Sequence, residues 1–146
     1  MEPSMSPDKA QHIETLLTDA GVDFERAGEL AWTLRLGPDK NLKASLVCLP
    51  ARFDNKSELL KVYMPVGKLP GNAGADFLKD LLRKNRDLGH GGFAIVGKDV
   101  VAFVDTLQLA HCDHNEVDAT LAWLVESVDI FKEKLDYSKL PYLDPY

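Results

Sequence analysis

Three alternating runs between residues 30 and 66 constrain this fold more than any other feature. "LAWTLRL" (30–36) sets Trp32, Leu34 and Leu36 against Thr33 and Arg35. "LKASLVCLP" (42–50) sets Leu42, Ala44, Leu46 and Cys48 against Lys43 and Ser45. "ELLKVYMPV" (58–66) sets Leu60, Val62, Met64 and Val66 against Lys61 and Tyr63. A period of two is the signature of strands with one buried face. The turns "GPDKN" and "DNKS" are too short for the crossover that parallel neighbours require, so the runs form an antiparallel meander. Pro65 has no ladder donor and is expected at a sheet edge or a strand end.

Helical signals flank the meander. In "SPDKAQHIETLLTDAG", Ser6 caps and Pro7 opens a helix whose stripe is Ile13, Leu16, Leu17 and Ala20, and Gly21 stops it. His12 beside this stripe is a surface or boundary histidine. "ADFLKDLLRKNRDLG" repeats the period with Phe77, Leu78, Leu81 and Leu82, ending at Gly89. Its Lys79, Arg83, Lys84 and Arg86 form a solvated face near a helix C-terminus, where the dipole favours cations. "GGFAIVGKDVVAFVDTLQL" predicts a hairpin, 93–96 and 100–107 around "GKD". The closing helix runs from about residue 113 to 135, with Val117, Leu121, Leu124, Val125, Val128 and Leu135 as its stripe and Trp123 and Phe131 flanking it. The expected class is α+β, in the order α-βββ-α-ββ-α. It has a five-stranded, mostly antiparallel sheet with three helices packed on a face. One domain is expected over 1–146, with 1–5 and 138–146 as peripheral tails.

A chain of 146 residues buries enough surface to need no disulfide staples. Its net charge of −6 disfavours nucleic acid and anionic membranes, since no basic excess offsets phosphate. Cys48 and Cys112 form no framework, which fits a reducing compartment. The start "MEPSMSPDK" is no signal peptide, and no apolar run reaches membrane-spanning length. A cytoplasmic location is expected.

The densest cluster of chemistry is "AHCDHNE" (110–116). It reads as a metal site, a reactive thiol or a helix start. Asp113, then Glu116, then Val117 fit a capping box, and both acids suit a positive helix end. A metal needs three or four converging ligands. Adjacent His111 and Cys112 diverge in an extended link, so a site would need His111, His114 and a distant third ligand such as His90 from "LGHGGF". A helix N-terminus can activate Cys112 with a histidine as base, yet no orienting acid or oxyanion pattern accompanies it. "GNAG" and "GHGG" match neither a P-loop nor a dinucleotide fingerprint. The reading is a structural cap, with no metal, no cofactor and no catalytic residue.

The stretch from residue 77 to 131, "FLKDLLRKNRDLGHGGFAIVGKDVVAFVDTLQLAHCDHNEVDATLAWLVESVDIF", resembles the YbjN-like family within the wider type III secretion chaperone-like fold. The resemblance rests on Leu81, Leu82 and Asn85 in a Leu-Leu-x-x-Asn run, on Phe93 and Ala94 after a glycine, and on a valine-rich strand before a long helix. With the first helix and the meander it covers nearly the whole chain. It implies a small acidic non-enzymatic protein, usually dimeric, that acts through protein–protein contacts, and it supplies no catalytic residues.

The expected function is therefore a chaperone-like or regulatory module that binds another protein or peptide as a homodimer. The mechanism would be strand addition at a sheet edge or burial of an amphipathic segment. Trp32, Tyr63, Tyr142 and Tyr146 are the candidate anchors, and Tyr63, Leu49 or Leu59 on outer faces the candidate apolar patch. The alternatives are a small-molecule-sensing domain, which requires an enclosed apolar cavity, and a metal- or thiol-dependent enzyme, which requires a polar pocket joining His90, His111 and Cys112.

Overall fold

A computed structural model describes residues 7–50, 57–68, 74–86, 88 and 90–134. The elements are α1 (Pro7–Asp19), β1 (Asp23–Gly28), β2 (Ala31–Leu36), β3 (Leu42–Pro50), β4 (Glu58–Lys68), α2 (Ala75–Arg86), β5 (Gly92–Val96), β6 (Val100–Gln108), a 3-10 turn (Leu109–His111) and α3 (His114–Lys134). Ser6, Gly89, residues 54–56 and 69–73, and the tail with Tyr142 and Tyr146 lie outside the described residues.

The α+β class holds, with the three helices where their periodicity places them. The sheet has six strands, not five. Its order is β1-β2-β3-β4-β6-β5, and every adjacent pair is antiparallel. The added strand is β1, "DFERAG". Only Phe24 is a large apolar residue there, and five of the six positions are exposed. An edge strand that buries so little leaves no alternation to read. Its pairing with β2 shifts register between Arg26 and Gly28.

Local chemistry explains the junctions. Gly21 takes φ +74°. Around it Gly21 N–H donates to the Thr18 carbonyl and Val22 N–H to that of Leu17, both at 3.0 Å. This double closure ends α1 and turns the chain into β1. Pro65 differs from expectation, because β4 is a central strand between β3 and β6. The register shifts between Pro65 and Gly67, so the proline sits at a bulge where the ladder is already interrupted.

All three helices cover one face. Ile13, Leu16 and Leu17 of α1 and Val117, Leu121 and Leu124 of α3 join Trp32, Leu34, Leu46, Leu60, Val62 and Phe103 in the main core. Leu81 of α2 packs separately with Val66 and Val101, and Phe93 bridges the two clusters. Burying each such side chain contributes about 1.5–3 kcal/mol.

Glu14 ties α1 to the first two strands. Its Oε2 accepts from Trp32 Nε1 at 2.8 Å and from Arg26 Nε at 2.9 Å. The Arg26 guanidinium also lies 5.5 Å from the Trp32 ring centroid. The Trp32 hydrogen bond first, then that of Arg26, holds the Glu14 carboxyl below the usual carboxylate range. A depressed folded value means the stabilisation is fully present above the unfolded value of about 4.5 and is lost as pH falls through the folded one. Glu14→Gln should therefore cost about 0.5–1 kcal/mol near neutrality, limited by solvent screening. Urea titrations of both proteins at descending pH should show that difference shrinking below the unfolded value.

Candidate functional site

The opening of α3 is a cap. Asp113 precedes the helix, and its Oδ1 accepts from Glu116 N–H at 2.9 Å. A cap of this kind is worth about 1 kcal/mol. Cys112 is buried, and its Sγ contacts the Asp113 carbonyl at 3.6 Å. Burial first, then the charges of Glu116 and Asp113, pushes its thiol up to about 11. The activation expected from a helix N-terminus is outweighed, because desolvation penalises the thiolate more than the helix dipole favours it. Cys48 is likewise buried and raised by desolvation.

The three residues of the alternative enzyme site do not meet. His111 is exposed while its neighbour Cys112 is buried. His90 lies before β5 and meets the middle of α3, where Trp123 Nε1 donates to the His90 carbonyl at 3.1 Å and the two rings lie 6.3 Å apart. Trp123 is nine residues beyond the helix start, which is about 14 Å along the axis. Among the described residues no three His, Cys, Asp or Glu side chains converge as metal ligands.

Among the described residues, an apolar crevice lies between α1, α3 and the sheet. It is lined by Leu16, Leu17, Leu46, Leu60, Val62 and Leu121 among others, and its free volume is about 10 Å³. That is room for about one water, far below the volume a sensed metabolite needs.

The described residues also present two apolar surfaces. The sheet face opposite the helices carries Leu49 and Leu59, which are register partners, and Tyr63, which lies between Ser45 and Val104. Leu49 is 38% exposed, and Leu59 and Tyr63 are half-buried. Trp32 is different: at 1% exposure it is the largest fully buried side chain among the described residues, so the anchor role expected for it is not open to it. The inward parity of β2 that hides Trp32 is the same alternation that identified the strand.

A second apolar surface lies at the other end of the sheet. Leu78 and Leu82 stand one turn apart on α2, 38% and 68% exposed, and Ile95 on edge strand β5 is 42% exposed. The α2 cations behave as a solvated face: Lys79, Arg83 and Arg86 are exposed, and Arg83 meets Asp80 at 3.4 Å. Among the described residues no helix is long and apolar enough to cross a membrane.

Two polar features escaped the reading of composition and spacing. Asp105 is 8% exposed on the helix-covered face of β6. Its Oδ1 accepts from Thr106 N–H at 2.8 Å, while Oδ2 has no hydrogen-bond partner and lies 3.9 Å from His90 Nδ1. The signal was its parity with Val101, Phe103 and Leu107. Asn85, noted only as part of a family pattern, makes a two-point contact with the backbone of Phe93.

No curated protein matches the chain. Among solved structures, it resembles a chain of the Yersinia pestis type III secretion chaperone SycH in complex with a stable fragment of YscM2. The identity is 21% and the TM-score 0.56, over 83% of this chain and 97% of that one. It also resembles a chain of the ExsC–ExsE complex, with 17% identity and a TM-score of 0.63 over 88% of this chain and 93% of that one. At these identities the likeness concerns fold. The narrower YbjN-like affiliation is not the one the family comparison selects. The model CesT_Tir_1 matches residues 6–139, nearly the whole of a one-faced sheet with three helices behind it, and the chain belongs to this type III secretion chaperone family.

Proposed function

We infer that this protein is a non-enzymatic, chaperone-like module that binds another polypeptide in the cytoplasm and does so as a homodimer. The observation that carries the reading is the division of the sheet. One face is closed by all three helices; the other presents Leu49, Leu59 and Tyr63 beside an exposed edge strand, β1. A partner segment can lie on that face or add to that edge through backbone hydrogen bonds. Both of the structures named above are complexes with a second protein or fragment. The surface of Leu78, Leu82 and Ile95 is separate from this face and suits the self-complementary contact of a two-fold pair.

The test is differential capture from the native cytoplasm, with the tagged chain and its Leu49→Asp/Tyr63→Asp variant run side by side. A protein enriched by the first and lost from the second is the expected result. Equal enrichment on both would exclude this face. Enrichment on neither, with a small molecule retained by the purified chain, would overturn polypeptide binding.

A further inference from the structure

The sheet has two free edges, and they are not alike. β1 is open. At β5 the carboxamide of Asn85, in the last turn of α2, lies against the strand: Oδ1 accepts from Phe93 N–H at 2.7 Å, and Nδ2 donates to the Phe93 carbonyl at 3.3 Å. A carboxamide carries an acceptor and a donor in one plane, like a peptide unit. In an antiparallel ladder the N–H and C=O of one residue point to the same side, and successive residues alternate. Because Asn85 takes both groups of Phe93, these point away from β6. The T-shaped contact of the Phe93 and Phe103 rings, 5.3 Å between centroids, joins the two register partners across the strands. By alternation, Phe93 and Ile95 are the outward-facing positions inside this five-residue strand. Gly92 makes room for the contact, since a Cβ there would stand 3.1–3.3 Å from the oxygen, carbon and nitrogen of the Asn85 carboxamide.

We propose that Asn85 is an edge guard, a one-residue substitute strand that closes β5 to strand addition. With Phe93 occupied, an incoming strand retains only Ile95, and two hydrogen bonds at a single residue do not hold a ladder. The sheet can then grow at β1 alone, and contacts at the α2–β5 end are made by side chains. This property belongs to the isolated chain and does not rest on the partner inferred above.

Residue-resolved hydrogen exchange and light scattering on the purified chain test it together. The Phe93 amide should be protected in the wild type and exchange roughly tenfold faster in Asn85→Ala, the loss expected for one net hydrogen bond. The variant should also assemble with rising concentration beyond the wild-type state. Asn85→Asp, which keeps the acceptor for Phe93 N–H, should retain the amide's protection. If Asn85→Ala fails to fold, Asn85→Ser replaces it with the same expectations. An unprotected Phe93 amide in the wild type would overturn the proposal. So would faster exchange with unchanged assembly, which would reduce Asn85 to a local turn cap.

Discussion

Gly91→Ala should cost about 3 kcal/mol or more, although a single methyl group is added. Two effects combine. Gly91 has φ +59°, a left-handed conformation that costs an L-residue about 1–2 kcal/mol. The new Cβ would also fall inside contact distance of the Val104 carbonyl oxygen, 3.1 Å from Phe103 Cε1 and 3.2 Å from Asp105 Cβ. None of these neighbours yields easily. Val104 is in the β6 ladder with register partners on both sides, and the Phe103 ring is fully buried. Thermal unfolding followed by circular dichroism should show a midpoint lower by about 10 °C, given about 2–4 °C per kcal/mol for a chain of this size. A midpoint within about 2 °C of the wild type would show that the loop moves freely and that its closeness to β6 is not required. The same contact gives "GHGG" a role that no motif match supplied. Its glycine brings the chain flat onto Asp105, and Trp123 holds the preceding carbonyl.

The legible parts of this fold are those where burial writes a period. β2, β3 and β4 have one face in the core, so Trp32, Leu34, Leu46, Leu60 and Val62 recur at every second position. β1 is exposed on nearly every residue and writes nothing. The capping chemistry of Asp113 was legible because it is local: acceptor and donor are three residues apart in the chain. The Asn85–Phe93 contact spans eight residues and depends on where α2 ends relative to β5, which no local pattern encodes. Cys112 shows the opposite limit. Its position at a helix start argued for a lowered thiol, but burial, a tertiary property, reverses the sign. Asp105 was legible in principle, since strict alternation through "VVAFVDTLQ" turns it inward with Val101 and Phe103. The apolar residues around it masked the cost of an inward carboxylate.

Leu78→Lys combined with Leu82→Lys should leave folding intact and abolish pairing. Both side chains are substantially exposed in the single chain, and the buried member of this helix is Leu81, so stability should move by no more than about 0.5 kcal/mol. Association is another matter. In a two-fold contact each leucine counts twice, and burying one of them contributes at most about 1.5–3 kcal/mol. If α2 lies at the two-fold contact, the new lysines would join Arg83, Lys84 and Arg86 there, adding like-charge repulsion where apolar area was lost. Together these effects should weaken pairing by roughly a hundredfold or more. Light scattering across a micromolar concentration range should give the mass of two chains for the wild type and of one for the variant, with equal urea midpoints. A wild type that stays at one chain throughout would refute the dimer itself. A variant that still pairs would place the contact elsewhere, and the β1 edge, the one left without a guard, would be the surface to test next.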